Sequence, residues 1–262
     1  MDVEDAMNVD IVVPVHNQAR TLERDISSLY AHLKSRFPYR WKLVVVDHGS
    51  TDGSFWEARK LEEQYSGVQA VQVALEGRGR ALKRGSQGLG DVFCYIDANN
   101  LPSDLEDITR LVRLVAEDHC DVAAGRCVPA GGGWDGRFAS GLYHLGLKLA
   151  LNLPVADVQC PFKALSRRVA AEIVPLVRDE FWFFDTELLA LAQARGCRIQ
   201  QDLISRTRPE TPAIGEPLPE LMRRILDLRR RLRGATNTPG TNSDDPEAPG
   251  RDQRTRVQDR GE

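Results

Sequence analysis

The chain has 262 residues, 42% of them hydrophobic and 28% charged, and carries a formal net charge of −3. These values are typical of a soluble globular protein with one sizeable core, and the near-neutral total argues against bulk nucleic-acid binding. The sequence has no uninterrupted apolar run of about 18 residues. Its start, MDVEDAMNVD, is acidic, so neither a membrane span nor a signal peptide is predicted. We therefore expect a cytoplasmic protein that binds no nucleic acid.

The cysteines are odd in number and scattered, with no C-x-x-C spacing. This pattern argues against both a zinc site and a disulfide framework, so we expect reduced thiols in the core. The cysteines are Cys94, Cys120, Cys127, Cys160 and Cys197.

Strand and helix patterns alternate through the first 125 residues. The continuous apolar runs DIVVPV, WKLVVVD and DVFCYID are rich in β-branched residues and predict strands buried on both faces of a parallel sheet. Leucine and isoleucine recur at helical spacing over 22–33, which predicts a βαβ unit, and GVQAVQVAL alternates like a further strand. Ser54 and Ser103 each stand three residues before a glutamate and predict capping boxes. The fold class is therefore α/β, with a mostly parallel central sheet flanked by helices.

The pattern changes after residue 130. A glycine-rich loop, AGGGWDG, precedes an apolar helix over 138–153, and further helices are predicted near 166–177 and over 185–196. ELMRRILDLRRRLR, near the C-terminus, predicts a basic amphipathic helix. Its apolar side would consist of Leu221, Met222, Ile225, Leu228 and Leu232.

Composition divides the chain into three parts. We expect one domain over 1–207, then a proline-rich connector and the basic helix over 208–233. Residues 234–262 contain almost no apolar side chains, so they should form a disordered tail.

Polar residues follow three of the predicted strands, at 14–18, 47–52 and 97–100. Because the carboxyl ends of parallel strands share one edge of a sheet, we expect these residues to line a single cleft. The loop GRGR at 77–80 adds glycines and cationic side chains, which favours a phosphate-bearing ligand. Capping of turns and helices is the alternative role for Asp47 or Asp97 taken alone.

Six segments resemble, in order, the successive sequence blocks of the family 2 glycosyltransferases. They are VDIVVPVHNQARTLERDISSL, KLVVVDHGSTDGS, GRGRALKRG, CYIDANN, DVQCPFKALSRRVA and WFFDTELLALAQARGCRI. The most similar branch comprises the polyprenyl-phosphate (dolichyl-phosphate-type) mannosyl- and glucosyltransferases. The resemblance implies a Rossmann-like GT-A fold. It also implies inverting transfer of a hexose from a UDP- or GDP-sugar to a polyprenyl or dolichyl phosphate, assisted by Mg²⁺ or Mn²⁺.

The resemblance also implies roles for single residues on the donor side. Pro14, Val15 and Asp47 would hold the base and ribose, and Arg78 and Gly79 would line the nucleotide.

The same resemblance implies a metal site after the third buried strand. Asp97 would lie at the ribose and diphosphate, and Asn99 stands where the family carries a metal-binding aspartate. Asp157 and Gln159 would face the donor sugar and the metal.

On the acceptor side, Arg126, Arg137 and Ser140 would correspond to the positions that bind the acceptor phosphate. Glu187 would orient a sugar or another side chain, with buried structural pairing as the alternative. Lys163 belongs to the segment DVQCPFKALSRRVA and would act either as a ligand or as a packing residue. The apolar helix over 138–153 and the basic helix near the C-terminus would suit a lipid acceptor and peripheral contact with the cytoplasmic membrane face. The alternatives are core packing for the first helix and a solvated surface for the second.

Four positions depart from the family pattern: Gln18, His48 and Asn99 each replace an acid, and Pro161 replaces a glycine. The segment after 199 also lacks the expected V-P-V-x-W strand. Two functions therefore remain open: a working transferase, or a non-catalytic descendant that binds a nucleotide or a lipid.

Overall fold

The computed structural model describes residues 7–88, 90–128, 151–158, 160–205 and 218–236 of the chain. The strands are β1 (Asn8–Val15), β2 (Arg40–His48), β3 (Val68–Val73), β4 (Val92–Tyr95), β5 (Val122–Val128), β6 (Lys163–Ser166) and β7 (Ile199–Ser205). The helices are α1 (Leu22–Ser35), α2 (Ser54–Gln64), α3 (Arg78–Gly85), α4 (Glu106–Ala116), α5 (Arg167–Glu172), α6 (Phe184–Ala194) and α7 (Leu218–Thr236). Short 3-10 helices span Ala98–Asn100 and Val174–Leu176.

The strands form one mostly parallel sheet in the order β3-β2-β1-β4-β6-β5-β7. Strand β6 runs antiparallel to both of its neighbours, and the other pairs are parallel. The strands other than β6 therefore end at one side of the sheet, called here the carboxyl edge. Lys163, which begins β6, lies opposite Tyr95 at the end of β4 and so stands at the same edge.

Helices cover both faces of the sheet, as the sequence predicts. Along β1, Ile11 and Val13 pack into a cluster with α1, α2 and α4, whereas Val12 packs into a second cluster with α3, α5, α6 and α7. Successive side chains of a strand point to opposite faces, so a strand covered on both sides must be apolar throughout. This arrangement explains the continuous apolar runs of β1, β2 and β4.

The prediction of two capping boxes is wrong. Helix α2 begins at Ser54, whose backbone N–H donates to the Asp52 carboxylate at 3.0 Å, and its hydroxyl accepts from the Gln18 N–H at 2.7 Å. At α4, the Glu106 N–H donates to Asp104 at 3.0 Å, and no side chain caps the helix at its first position. At α4, Asp104 thus accepts the N–H bond that Ser103 was expected to accept. At α2, the Glu57 N–H donates instead to the carbonyl of Gly53 at 3.2 Å, and Asp52 accepts from Ser54 itself.

A strand also forms where the sequence motif suggested none. β7 pairs in parallel with β5 from Val122↔Ile199 to Val128↔Ser205. Ladder hydrogen bonds use backbone groups alone, so QQDLIS pairs without the expected V-P-V-x-W pattern.

Helix α7 packs against the domain through part of its predicted apolar side. Leu221, Ile225 and Leu228 are buried in the cluster that also contains α6. Met222, also on the predicted apolar side, is 47% exposed and does not share this burial. None of the helices within the described ranges is long and apolar enough to cross a membrane.

Four of the cysteines, Cys94, Cys120, Cys160 and Cys197, are free and buried, as predicted. Burial raises the pKa of Cys94 to about 12. The Cys127 side chain lies outside the described residues.

Candidate functional site

The loops that follow β1 and β2 are joined by hydrogen bonds at the carboxyl edge. Asn17 has a positive φ of 52°, and its side-chain oxygen accepts from the Thr51 N–H at 2.9 Å. Its own N–H donates to the Ser50 hydroxyl at 2.9 Å, and the Ala19 N–H donates to Asp52 at 3.0 Å. The two loops therefore form one rigid wall of a cleft.

The loop after β3 packs against this wall with no room for additional atoms. Gly49 has a φ of 71°, and a Cβ there would lie 2.6 Å from the backbone nitrogen of Glu76. Glycine at position 49 thus allows both the left-handed backbone and the close approach of the two loops.

A histidine pair occupies the centre of the same wall. The rings of His16 and His48 stack with their centroids 5.3 Å apart, and the Gly77 N–H donates to Nδ1 of His48 at 3.2 Å. Burial foremost, and then the charge of His16, lower the pKa of His48. His48 is therefore neutral at pH 7, and because Nδ1 accepts a hydrogen bond its proton resides on Nε2.

Asp47 is a buried carboxylate without a hydrogen-bond partner among the described residues. It is 0% exposed, and neither side-chain oxygen accepts a hydrogen bond there. It lies opposite Val15 in the β1–β2 register, and Pro14 is the residue before. The three residues expected at the base and ribose are thus adjacent. A buried polar group without a partner is costly, so Asp47 is suited to accept hydrogen bonds from a ligand.

The GRGR loop packs against a backbone segment that precedes α6. The Gly79 N–H donates to the carbonyl of Glu180 at 2.8 Å, and a Cβ on Gly79 would lie 2.8 Å from the carbonyl oxygen of Asp179. Arg80 forms an ion pair with Glu180 and lies over the ring of Phe181. These contacts hold the start of α3, and with it Arg78, in one place.

Arg78 belongs to a buried ionic cluster centred on Asp185. The Asp185 carboxylate accepts from Arg78 Nη1 at 2.6 Å, from Lys163 Nζ at 2.7 Å and from the Tyr95 hydroxyl at 2.7 Å. Lys163 is fully buried and also donates to the carbonyl of Cys160 at 2.6 Å. Burial alone would raise the pKa of Asp185, but Arg78 and Lys163 outweigh it and hold that pKa below its usual value. Asp185 is therefore ionised at neutral pH.

Asp97 and Asn99 lie just beyond β4. The Asp97 side chain accepts from the Asn99 N–H at 3.3 Å and caps the 3-10 helix that begins at Ala98. The charge of Asp97 also acts on Arg78, which places the two residues in one neighbourhood. The expected nucleotide-binding residues therefore meet at the carboxyl edge.

The oxygen donors at this turn fit a hard divalent cation. Mg²⁺ is usually held by one or two carboxylates together with substrate phosphates and water, and Asp97 with Asn99 offers one carboxylate and one amide oxygen. Within the described ranges, no group of three or more His, Cys, Asp or Glu side chains is placed to hold a metal. A metal here would therefore depend on oxygens from the ligand.

Other expected residues lie farther along the edge or outside the described ranges. Asp157 is partly buried, and its carboxylate accepts from the Cys160 N–H at 3.0 Å. Arg126 is exposed on β5. The predictions for Gln159, Arg137 and Ser140 fall outside the residues that the structure describes.

Glu187 takes part in a second buried contact, on the side of α6 that meets α7. Its carboxylate accepts from the backbone N–H groups of Arg178, at 3.0 Å, and of Asp179, at 2.9 Å. It also pairs with Arg231, and Arg224 pairs with Asp179. Two arginines of α7 thus face the domain rather than solvent, and the four acidic and basic side chains border a cavity of about 300 Å³.

Sequence reasoning missed the connection between Asp185, Tyr95 and Lys163, as well as the stacking of His16 on His48. Tyr95 and Lys163 come from strands that are far apart in sequence and adjacent in the sheet. A lysine within an otherwise apolar strand pattern, ahead of an F-D pair that begins a helix, is the signal that could have indicated a buried ion pair.

The comparisons with known proteins agree with this geometry. Residues 10–174 match the model of the family "Glycosyl transferase family 2". Glycosyltransferase AglD of Haloferax volcanii is 31% identical over 206 residues, covering 74% of this chain and 32% of that protein. The dolichyl-phosphate beta-glucosyltransferase of Saccharomyces cerevisiae is 23% identical over 231 residues, covering 75% of this chain and 66% of that protein.

Among solved structures, glucosyl-3-phosphoglycerate synthase from Mycobacterium tuberculosis, in complex with Mg²⁺ and UDP, is similar in fold. Its TM-score is 0.61 at 20% identity, and the match covers 87% of this chain and 80% of that one. The mostly parallel sheet flanked by helices is therefore the fold of GT-A glycosyltransferases. The chain spans 32% of the length of the Haloferax relative and 66% of the length of the yeast relative. It belongs to glycosyl transferase family 2.

Proposed function

We propose that this protein is an inverting hexosyltransferase. It moves a hexose from a nucleotide-diphosphate sugar, UDP- or GDP-linked, to a polyprenyl or dolichyl phosphate. The observation that carries the proposal is a pair of groups at the carboxyl edge: the fully buried carboxylate of Asp47, which has no hydrogen-bond partner among the described residues, and the guanidinium of Arg78, which Asp185 holds. A base N–H group would satisfy the first, and the diphosphate would satisfy the second.

The acceptor needs little activation. A phosphate monoester has a second pKa near 6, so its oxygen is largely ionised at neutral pH and requires no strong general base. This oxygen would attack the anomeric carbon from the face opposite the diphosphate, forming one C–O bond as the other breaks. Configuration at the anomeric carbon is thereby inverted.

The protein would contribute position and positive charge. Arg78 would offset charge on the departing diphosphate, and Arg126 with Arg137 and Ser140 would hold the acceptor phosphate. Asp97, Asn99 and Gln159 would hold Mg²⁺ or Mn²⁺. When bound, the metal supplies further charge neutralisation at the diphosphate.

The lipid acceptor implies contact with a membrane surface, and the outer face of α7 supports it. Met222 and Leu226 are 47% and 46% exposed and stand one helical turn apart, next to the exposed Arg223, Arg229 and Arg230. Apolar side chains among arginines suit an interface with anionic headgroups. Flotation with vesicles containing anionic lipid tests this contact, and Met222→Ser with Leu226→Ser should abolish it. Flotation that is unchanged in the double variant would exclude α7 as the contact.

The test of the donor site is calorimetric titration of UDP and GDP into the purified chain, first with Mn²⁺ and then with chelator. We expect one nucleotide to bind more tightly than the other, with affinity that falls on chelation. A transfer assay with the corresponding nucleotide sugar and a short-chain polyprenyl phosphate would follow. Absence of binding by both nucleotides in both conditions would refute the proposal.

A further inference from the structure

The buried cluster around Asp185 joins four separate elements at the carboxyl edge. Tyr95 ends β4, Lys163 begins β6, Arg78 begins α3, and Asp185 lies in the first turn of α6. Asp185 and Lys163 have side chains that are 4% and 0% exposed, and Arg78 retains 21% exposure. Tyr95 is 0% exposed, so only the arginine among these four side chains is partly accessible.

Stability is a weak reason to keep such a cluster. Removing an ammonium and a carboxylate from water is costly, and apolar residues of similar volume often serve a core equally well or better. Buried charged groups with specific charged partners are enriched at functional sites, where they fix the positions of ligand-binding side chains.

The guanidinium of Arg78 is held on one side and unsatisfied on the other. Nη1 donates to Asp185, whereas Nη2 is buried and has no hydrogen-bond partner among the described residues. The guanidinium also lies over the ring of Tyr95, 5.5 Å from its centroid, which further restricts its orientation. A fork-shaped cation with one arm anchored presents its remaining N–H groups in a defined direction.

We propose that Asp185, itself held by Lys163 and Tyr95, is a positioning residue that orients Arg78 toward the diphosphate of the bound nucleotide. The inference rests on the proposed function and assigns a role to residues that would not touch the nucleotide themselves. The cluster transmits its effect only through Arg78.

The first test is Asp185→Asn, which keeps the side-chain shape and removes the charge. Affinity for whichever of UDP and GDP the wild type binds should fall by ~10- to 100-fold. Asp121→Asn is the matched control. Asp121 precedes β5 at the opposite edge and accepts from Arg198 in a similar way, at 2.7 Å from the backbone N–H and 3.2 Å from Nε. That variant should leave nucleotide affinity unchanged.

A double-mutant cycle separates positioning from general structural damage. If Asp185 acts through Arg78, adding Asp185→Asn to Arg78→Ala should weaken nucleotide binding less than twofold beyond Arg78→Ala alone. Losses that multiply across the two variants would show that Asp185 acts independently of Arg78 and would overturn the inference.

Tyr95→Phe keeps the question answerable if Asp185→Asn does not fold. It removes a single hydrogen bond and no charge, so nucleotide affinity should fall by ~2- to 10-fold and the protein should stay folded. The inference is refuted, with the proposed function intact, if Asp185→Asn folds and binds nucleotide as the wild type does. If Asp185→Asn does not fold, unchanged affinity in Tyr95→Phe refutes it equally. Failure of the wild type to bind either nucleotide would overturn both.

Discussion

Replacing Asp47 by asparagine should stabilise the free protein and weaken its ligand binding. The carboxylate is fully buried and, within the described ranges, neither oxygen accepts a hydrogen bond. A buried polar group without a partner costs about 1–3 kcal/mol, and more when it is charged. Asparagine keeps the shape and removes the charge, so the free energy of unfolding should rise by about 1–2 kcal/mol.

This gain corresponds to a rise in melting temperature of about 2–8 °C for a domain of this size. The same substitution removes the charge-assisted hydrogen bonds that a nucleotide base would donate, so affinity should fall by ~10- to 100-fold. The two effects have opposite signs because a site prepared for a ligand is strained while it is empty.

The assay is thermal unfolding followed by circular dichroism, with and without nucleotide. Without nucleotide, Asp47→Asn should melt above the wild type. At a concentration 100 times the wild-type Kd, bound nucleotide adds about 2.7 kcal/mol to the wild type but only about 0.4–1.4 kcal/mol to a variant that binds ~10- to 100-fold more weakly. The difference in melting temperature should therefore close or reverse. Asp121→Asn, which removes a carboxylate that is hydrogen-bonded to Arg198, should melt lower in both conditions.

A lower melting temperature for Asp47→Asn without nucleotide would contradict the reasoning, since it would mean that the carboxylate already has a partner in the free protein. Undiminished nucleotide affinity would contradict the assignment of Asp47 to the base.

Three further outcomes are expected. Asn99→Asp should raise turnover at limiting Mn²⁺ by ~10-fold, because a carboxylate binds a hard cation more tightly than an amide; unchanged turnover with tighter nucleotide binding would instead support a non-catalytic binding protein. Burial, the largest cause, lowers the pKa of His48 below 6.5, so its contribution to stability is present above pH 6.5 and is lost as the pH falls below that value. His48→Gln should therefore reduce the fall in melting temperature below pH 6.5. The remaining fall would come from His32, whose pKa burial also lowers. A fall equal to that of the wild type would exclude His48 as a cause of the pH dependence. Arg231→Ala should destabilise the protein by about 1–3 kcal/mol, because it leaves the buried Glu187 carboxylate without its cation. Limited proteolysis should then release α7 sooner than in the wild type. Resistance equal to that of the wild type would show that the Arg231–Glu187 pair does not hold α7 on the domain.

Local patterns in the sequence sufficed for the parallel part of the sheet and for most helices. The apolar stretches 11–15, 43–46 and 92–95 in β1, β2 and β4 are continuous because both faces are covered, and the period of α1 is visible in its leucines. Helix starts were less predictable. Ser54 and Ser103 match the capping pattern, yet the Glu57 N–H donates to the Gly53 carbonyl and the Glu106 N–H to Asp104, since several nearby oxygens compete for the same N–H groups.

Some features of the candidate site could also be predicted from local patterns, whereas others depend on tertiary contacts. Parallel strand direction follows from the alternation of strands and helices, so the placement of Asp47, Arg78 and Asp97 at one edge of the sheet was predictable from their positions after strands. The placement of Lys163 was not, because a lysine at a strand start is equally compatible with solvent or with a ligand. Its partner Asp185 is 22 residues away and is brought to it only by the packing of α6 on the sheet.

The fold class, the family and the residues at the carboxyl edge could be inferred from the chain alone, because hydrophobic period and motif order are visible in the residues themselves. Which charges have partners could not, because it depends on packing between distant segments. Asp185 accepts three hydrogen bonds, whereas Asp47 has no partner within the described ranges. Arg224 and Arg231 of the basic helix form ion pairs with Asp179 and Glu187 of the domain. The physical reason is that the energy of a charge depends on burial and on neighbours within a few ångströms, and those neighbours come from distant parts of the chain.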